Sequence, residues 1–243
     1  MKKMRKIKIK THLMVAMLAV PIVMSVFISG CIYNPEIDPA NFVSTIDNPY
    51  YPLIPGTTFF YNGSAENHTE TNKLIVTHEH KIILGVNTTV IWDRVWDENN
   101  SLIEETYDWY AQDKNGDVWY FGEDSKEYEN GVVVSIKGSW EAGKHGAKPG
   151  IIMKADPKIG ESWWQEYALG VAMDTIKMLS LNESVTVPYG VCNNCIKTAD
   201  WTPLQPRILE NKYYYPGVGI VLSVMVKGGV ERMELVNVTT EKI

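Results

Sequence analysis

Hydrophobic and polar positions from about Tyr50 onward fall into short β-branched and aromatic runs separated by turn residues. Thr57-Thr58-Phe59-Phe60-Tyr61 is the first, and residues 73–84, 88–96 and 101–110 follow in the same manner, rich in Val, Ile, Thr, Trp or Tyr. Asn115-Gly116 stands between residues 107–110 and 118–121, and Asn130-Gly131 precedes the run 132–136. Such pairs take the positive φ angles of a tight hairpin. Gly228-Gly229 joins residues 220–226 to 231–238 in the same way. These connections are local, so neighbouring strands are expected to be antiparallel.

Only residues 168–181 offer a helix, through Val171, Met178 and Leu179, but Gly170 and the missing cap argue against it. Their second half reads as a strand leading into 184–188. The pattern therefore predicts an all-β chain, an antiparallel meander of roughly 10–12 strands. A sheet that size must close or curl to bury a face. The expected architecture is a single domain over 51–243, a barrel or curved half-barrel, with a β-sandwich as the alternative.

The segment from Met1 to Cys31 breaks this pattern. Six basic residues between Lys2 and Lys10 precede an apolar run from Leu13 to Ile28, which contains Pro21 and is followed by Ser29-Gly30-Cys31. A bilayer-spanning helix needs about 20 apolar residues, and this run is shorter. It has the length of a secretion signal, and the small residues before Cys31 suit a lipoprotein signal peptidase. Residues 1–30 are thus expected to be a lipoprotein signal peptide, with Cys31 the lipidated residue. An uncleaved anchor helix is the alternative. Both place the domain outside the cytoplasm, at the membrane. Residues 31–50 carry Pro35, Pro39 and Pro49 and read as a flexible tether.

Removing residues 1–30 changes the charge. The whole chain has 23 basic and 29 acidic residues; without the segment 17 basic residues remain against 29 acidic, a net of −12 instead of −6. That balance argues against nucleic-acid partners. Six glycosylation sequons begin at Asn62, Asn67, Asn87, Asn99, Asn182 and Asn237, where the Asn, Ser and Thr content predicts about two by chance. A glycosylated exterior combined with a lipobox suggests an archaeal cell surface.

Chemical signals are sparse. Cys192-Asn193-Asn194-Cys195 holds the only cysteines besides Cys31. A local disulfide is the preferred reading; free thiols, half a metal site and a redox centre remain alternatives. His78 and His80 share a strand face and are weak metal candidates, alone or with the two cysteines. Asp113, Asn115 and Asp117 alternate like a calcium loop but lack its Gly and Glu positions, and a hairpin turn explains them. Eight tryptophans are either core or a ligand surface, with Trp140, Trp163 and Trp164 the candidates for the latter. Among the acids, Asp108, Glu123, Asp124 and Glu141 offer carboxylate pairs. No nucleophile elbow, zinc-protease helix, phosphate loop or dinucleotide fingerprint is present, which leans against an enzyme, and no cofactor is implied.

The run Asp47-Asn48-Pro49-Tyr50-Tyr51-Pro52-Leu53-Ile54-Pro55-Gly56-Thr57-Thr58-Phe59 resembles the opening of a family of uncharacterised secreted and lipid-anchored proteins of bacteria and archaea. The blocks 117–123, 138–143, 149–153 and 214–219 are similar to later parts of that family. The resemblance implies a β-rich exported protein with no established activity, and therefore no catalytic residue. It also implies that Cys192 and Cys195 are dispensable, in keeping with a local disulfide. The expected function is a membrane-attached surface protein that binds an apolar or glycan ligand. A wall-polysaccharide hydrolase and a metal-binding surface protein are the alternatives.

Overall fold

The computed structural model describes residues 33–65 and 68–241; the signal segment, Cys31 and Asn67 lie outside them. The described residues are all β, apart from one 3-10 turn at Pro39–Asn41. Sixteen strands follow in chain order: β1 Phe42–Val43, β2 Thr57–Ala65, β3 His68–Ile83, β4 Val86–Asp97, β5 Leu102–Asp113, β6 Val118–Glu129, β7 Val132–Ser135, β8 Trp140–Glu141, β9 Lys148–Met153, β10 Ser162–Trp164, β11 Glu166–Tyr167, β12 Thr175–Val187, β13 Gly190–Trp201, β14 Leu209–Tyr215, β15 Gly219–Lys227 and β16 Arg232–Thr240. The region considered for a helix is a loop followed by β12.

Thirteen strands form one path, β10-β12-β13-β14-β15-β16-β2-β3-β4-β5-β6-β9-β11, with every pair antiparallel. The path's two ends are β10 and β11, which Gln165 alone separates in sequence. One segment thus pairs with β12 through its first half and with β9 through its second. The result is a nearly closed barrel; a sandwich does not form. The seam is tight: a Cβ on Gly150 would lie 2.3 Å from the Gln165 carbonyl oxygen, so only glycine fits there.

The hairpins follow the turn chemistry. Asn130 and Gly131 both have positive φ, 53° and 76°. At the β5–β6 turn Gly116 alone does, at 89°. There Asp113 Oδ1 accepts from the backbone nitrogens of Asn115 and Asp117, and Oδ2 accepts from Trp119 Nε1, so the carboxylate is consumed by the turn.

The lower end of the barrel, at the β3–β4 and β5–β6 turns, is closed by the residues expected to be a tether. This is a correction to the 31–50 boundary: from Tyr33 onward the described chain packs on the domain. Phe42 and Val43 pair with Asp113 and Gln112. Ile46, Asn48, Tyr51 and Leu53 are buried. Gln112 Oε1 accepts from the backbone nitrogens of Asp47 and Asn48, and Asn48 Nδ2 donates to Gly116 O at 2.8 Å. The prolines suggest a spacer, but the apolar residues between them insert into the core. Packing outweighs the weak local signal.

Candidate functional site

The barrel interior is a file of tyrosines. Tyr110 and Tyr120 are cross-strand partners on β5 and β6 with rings stacked 4.5 Å apart. Tyr51 meets Tyr110 and Tyr214 from below, and Trp140 closes edge-on against Tyr120. Burial raises the pKa of Tyr51 to about 12 and pushes Tyr110, Tyr120 and Tyr214 well above the ordinary phenol range. They stay neutral hydrogen-bonding groups at any physiological pH.

Above this file the interior turns acidic. Asp108 and Glu123 face each other directly across β5 and β6, and both are buried. Like charges so opposed repel. The Tyr120 hydroxyl answers them, hydrogen-bonding to Asp108 Oδ1 and reaching Glu123 Oε2 at 3.1 Å. Residues three apart on a regular strand would point to opposite faces. A bulge at Phe121–Gly122 adds one residue and returns Glu123 to the side of Tyr120.

A second cluster stands on β13 and β14. Asp200 is buried; its Oδ1 accepts from Thr198 Oγ1 at 2.6 Å and its Oδ2 from Gln165 Nε2 at 3.3 Å. Lys212 Nζ lies 3.0 Å from Asp200 Oδ2 and 3.5 Å from Glu210 Oε2. Burial alone would lower the ammonium's pKa, but the two carboxylates together outweigh it and hold the group well above its usual value. Glu210 also accepts from Ser223.

Both clusters border one cavity of about 140 Å³ at the upper end of the barrel. Glu123, Glu166, Asp174, Asp200, Glu210 and Glu231 line it with Lys212, Trp201 and Met225, and Val171 and Leu204 stand at its edge. Burial, then the neighbouring Glu210, raises the pKa of Glu231. Six carboxylates and one lysine make the wall rich in hydrogen-bond acceptors. The cavity is about the size of engineered core cavities that take up benzene, and it is several-fold smaller than ordinary ligand pockets. One ring-sized group fits; an acyl chain does not.

The residues singled out in the sequence are dispersed. Trp140 is core, and its buried Nε1 has no hydrogen-bond partner among the described residues. Trp163 packs against the core and donates to Ile151 O. Trp164 joins Tyr167 and Tyr33 in an aromatic group at the seam, with centroids 5.3 and 5.1 Å apart. His78 and His80 are exposed on β3, and His78 lies 3.5 Å from Glu241. Among the described residues no three His, Cys, Asp or Glu side chains are placed to hold a metal, so the set His78, His80, Cys192 and Cys195 does not assemble.

Cys192 and Cys195 are both buried on β13 as free thiols, where their spacing suggests a disulfide. Asn193 and Asn194 on β13 oppose the single residue Ser184 on β12, and Asn194 adopts φ 58°. This bulge turns both sulfurs into the core and the two asparagines outward. Of the acids considered, Asp124 pairs with Lys126, and Glu141 with Lys81 and Lys144. The five described sequon asparagines, Asn62, Asn87, Asn99, Asn182 and Asn237, are all exposed.

Asp200, Glu210, Lys212, Glu166 and Tyr120 escape a reading of the sequence alone. Glu210-Asn211-Lys212 carries a readable hint: alternate strand positions share a face.

No family model matches the chain, and no curated protein matches it in sequence. Among solved structures it is similar to a Bacteroides fragilis protein designated exported, with a YmcC-like fold, at 13% identity and TM-score 0.47, covering 79% of this chain and 99% of that one. A Parabacteroides distasonis protein designated a lipoprotein matches at 13% identity and TM-score 0.38, with 79% and 99% covered. A β-barrel-like protein of a domain of unknown function, DUF1849, from Brucella abortus matches at 11% identity and TM-score 0.42, with 76% and 98% covered. Likenesses at this level say nothing of ligand or chemistry.

Proposed function

We propose that this chain is an extracytoplasmic protein, anchored at the membrane by lipid on Cys31, whose barrel mouth binds a small donor-rich ligand without transforming it. A single sugar or amino-sugar unit is the ligand class that suits the site. The observation that carries the reading is the cavity of about 140 Å³ with six carboxylates and Trp201 in its wall. Carboxylates accept hydrogen bonds from hydroxyl and ammonium groups, and an indole face packs against the C–H face of a ring. The size of the cavity favours this over an apolar carrier role. The lipobox supports the anchor, and the exposure of the sequon asparagines is compatible with glycans on them.

The Asp108–Glu123 pair does not favour hydrolysis. A glycosidase sets two carboxyl groups about 5–9.5 Å apart with the scissile bond between them. Asp108 and Glu123 instead share the Tyr120 hydroxyl, which hydrogen-bonds to both, and Asp108 does not line the cavity.

The test is a calorimetric titration of the full chain, extracted in mild detergent, with glucosamine and with glucose. Binding is expected, with affinity reduced at least tenfold by Glu210→Gln and unchanged by Glu79→Gln on the exposed face of β3. Absence of heat with either sugar, or equal affinity in both variants, overturns the reading.

A further inference from the structure

Tyr33, the N-terminal end of the described residues, and the cavity lie at the same end of the molecule. Tyr33 is fixed on the barrel wall. Its hydroxyl donates to Pro149 O at 2.9 Å and its ring meets Tyr167. Cys31 is two positions earlier, and two residues reach at most about 7 Å. Tyr167 opens the loop that carries Leu169, which is 67% exposed, and Val171. Thr202 Oγ1 donates to Met173 O at 3.1 Å, which ties this loop to the next, where Leu204 is also exposed. Val171 and Leu204 form part of the cavity's edge.

We infer that this rim, Leu169, Val171 and Leu204 with Trp164 and Tyr167 behind it, rests on the lipid bilayer that holds the N-terminal segment, so that the cavity opens at the headgroup layer. The inference rests on membrane attachment at the N-terminal segment, and it holds for a lipid on Cys31 or for an uncleaved apolar anchor. Three observations select the bilayer as occupant. The tether is too short to let the seam stand off from the surface. Half-buried Trp and Tyr side chains mark the depth of an interface, where an apolar body meets a polar layer. Lys148, the cross-strand partner of Tyr167, places a cation beside them. Anchoring supplies the affinity, so three exposed aliphatic side chains need only orient the barrel, not hold it.

Full-length Leu169→Cys, Val171→Cys and Ile82→Cys chains in intact membrane vesicles, barrel side out, test this with a membrane-impermeant maleimide. Ile82 is 73% exposed beside the lower turns, and Cys192 and Cys195 are buried, so the unsubstituted chain gives the background. Positions 169 and 171 are expected to react at least tenfold more slowly than position 82, and to match it once detergent dissolves the membrane. Equal rates in intact vesicles overturn the inference, as does protection that persists in detergent or recovery of the chain in the soluble fraction. Intact mass of the same sample reads the state of Cys31 separately. A chain without lipid but with Met1 retained, and still protected at 169, would refute the lipid anchor while leaving the docked face standing.

Discussion

Tyr120 is where a single atom matters most. Its hydroxyl is the shared partner of two opposed, buried carboxyl groups. Tyr120→Phe keeps the ring and its stacking but removes the hydroxyl that both carboxyl groups share, and a loss of about 1–3 kcal/mol is expected in denaturant unfolding. Glu70 gives a pH signature. Burial, followed by the charges of Glu104, Glu231, Glu98 and Asp97, raises its pKa from 4.5 to about 7. Between those values the folded chain holds a proton that the unfolded chain has released. Its contribution to stability is therefore full below pH 4.5 and is lost as pH rises through 7. Unfolding midpoints measured across that window should fall with pH, and Glu70→Gln should flatten the slope. The thiols behave alike: burial raises the Cys192 pKa and lifts that of Cys195 to about 12. At pH 8 the native chain is expected to be inert to a thiol reagent at both positions, and denaturation without reductant should expose two reactive groups. If neither appears, the pair is oxidised.

At the scale of elements, glycines and bulges decide what meets what. Gly122 has φ 133°, and a Cβ there would lie 2.3 Å from the carbonyl oxygen of Trp140. Gly122→Ala is expected to detach β8, raise Trp140 fluorescence quenching by acrylamide, and cost upwards of about 2 kcal/mol. Much at this level was legible in the sequence. The Asn130-Gly131 hairpin and the strands around it follow from side-chain type and turn chemistry alone. The bulges were not legible. Gly122 and Asn193-Asn194 are poor strand residues and suggest a break or a loop, but only the partner strand reveals that each place holds one extra residue within a continuous strand. Glu123, Cys192 and Cys195 change face because of them, so a period-two reading assigns these residues wrongly. Gly150 was equally silent, because its role depends on Gln165 crossing it at the seam.

For the molecule as a whole, composition and local pairing indicated a closed or curled β-meander, but not what lies inside it. The interior is set by long-range convergence: residues 46–53 enter from below, and Asp200, Glu210 and Lys212 meet on neighbouring strands. Tyr51 is the test of the lower closure. It contacts Tyr110 and Tyr214 across the barrel, and Tyr51→Ala is expected to cost about 3–5 kcal/mol, as for other large core aromatics, in equilibrium unfolding.

The pairing of β16 with β2 has a further consequence. Nearly every other strand on the path pairs with a near neighbour in the chain, whereas Thr57 and Thr240 are 183 residues apart. The entropy of closing so large a loop is lost before those hydrogen bonds can repay it. The meander can assemble hairpin by hairpin as an open ribbon, and the ring then shuts along this single line. High contact order there makes closure the slow step of folding. Until it happens, β2 and β16 are both unpaired edges, and two such ribbons meeting in that interval would join to each other instead.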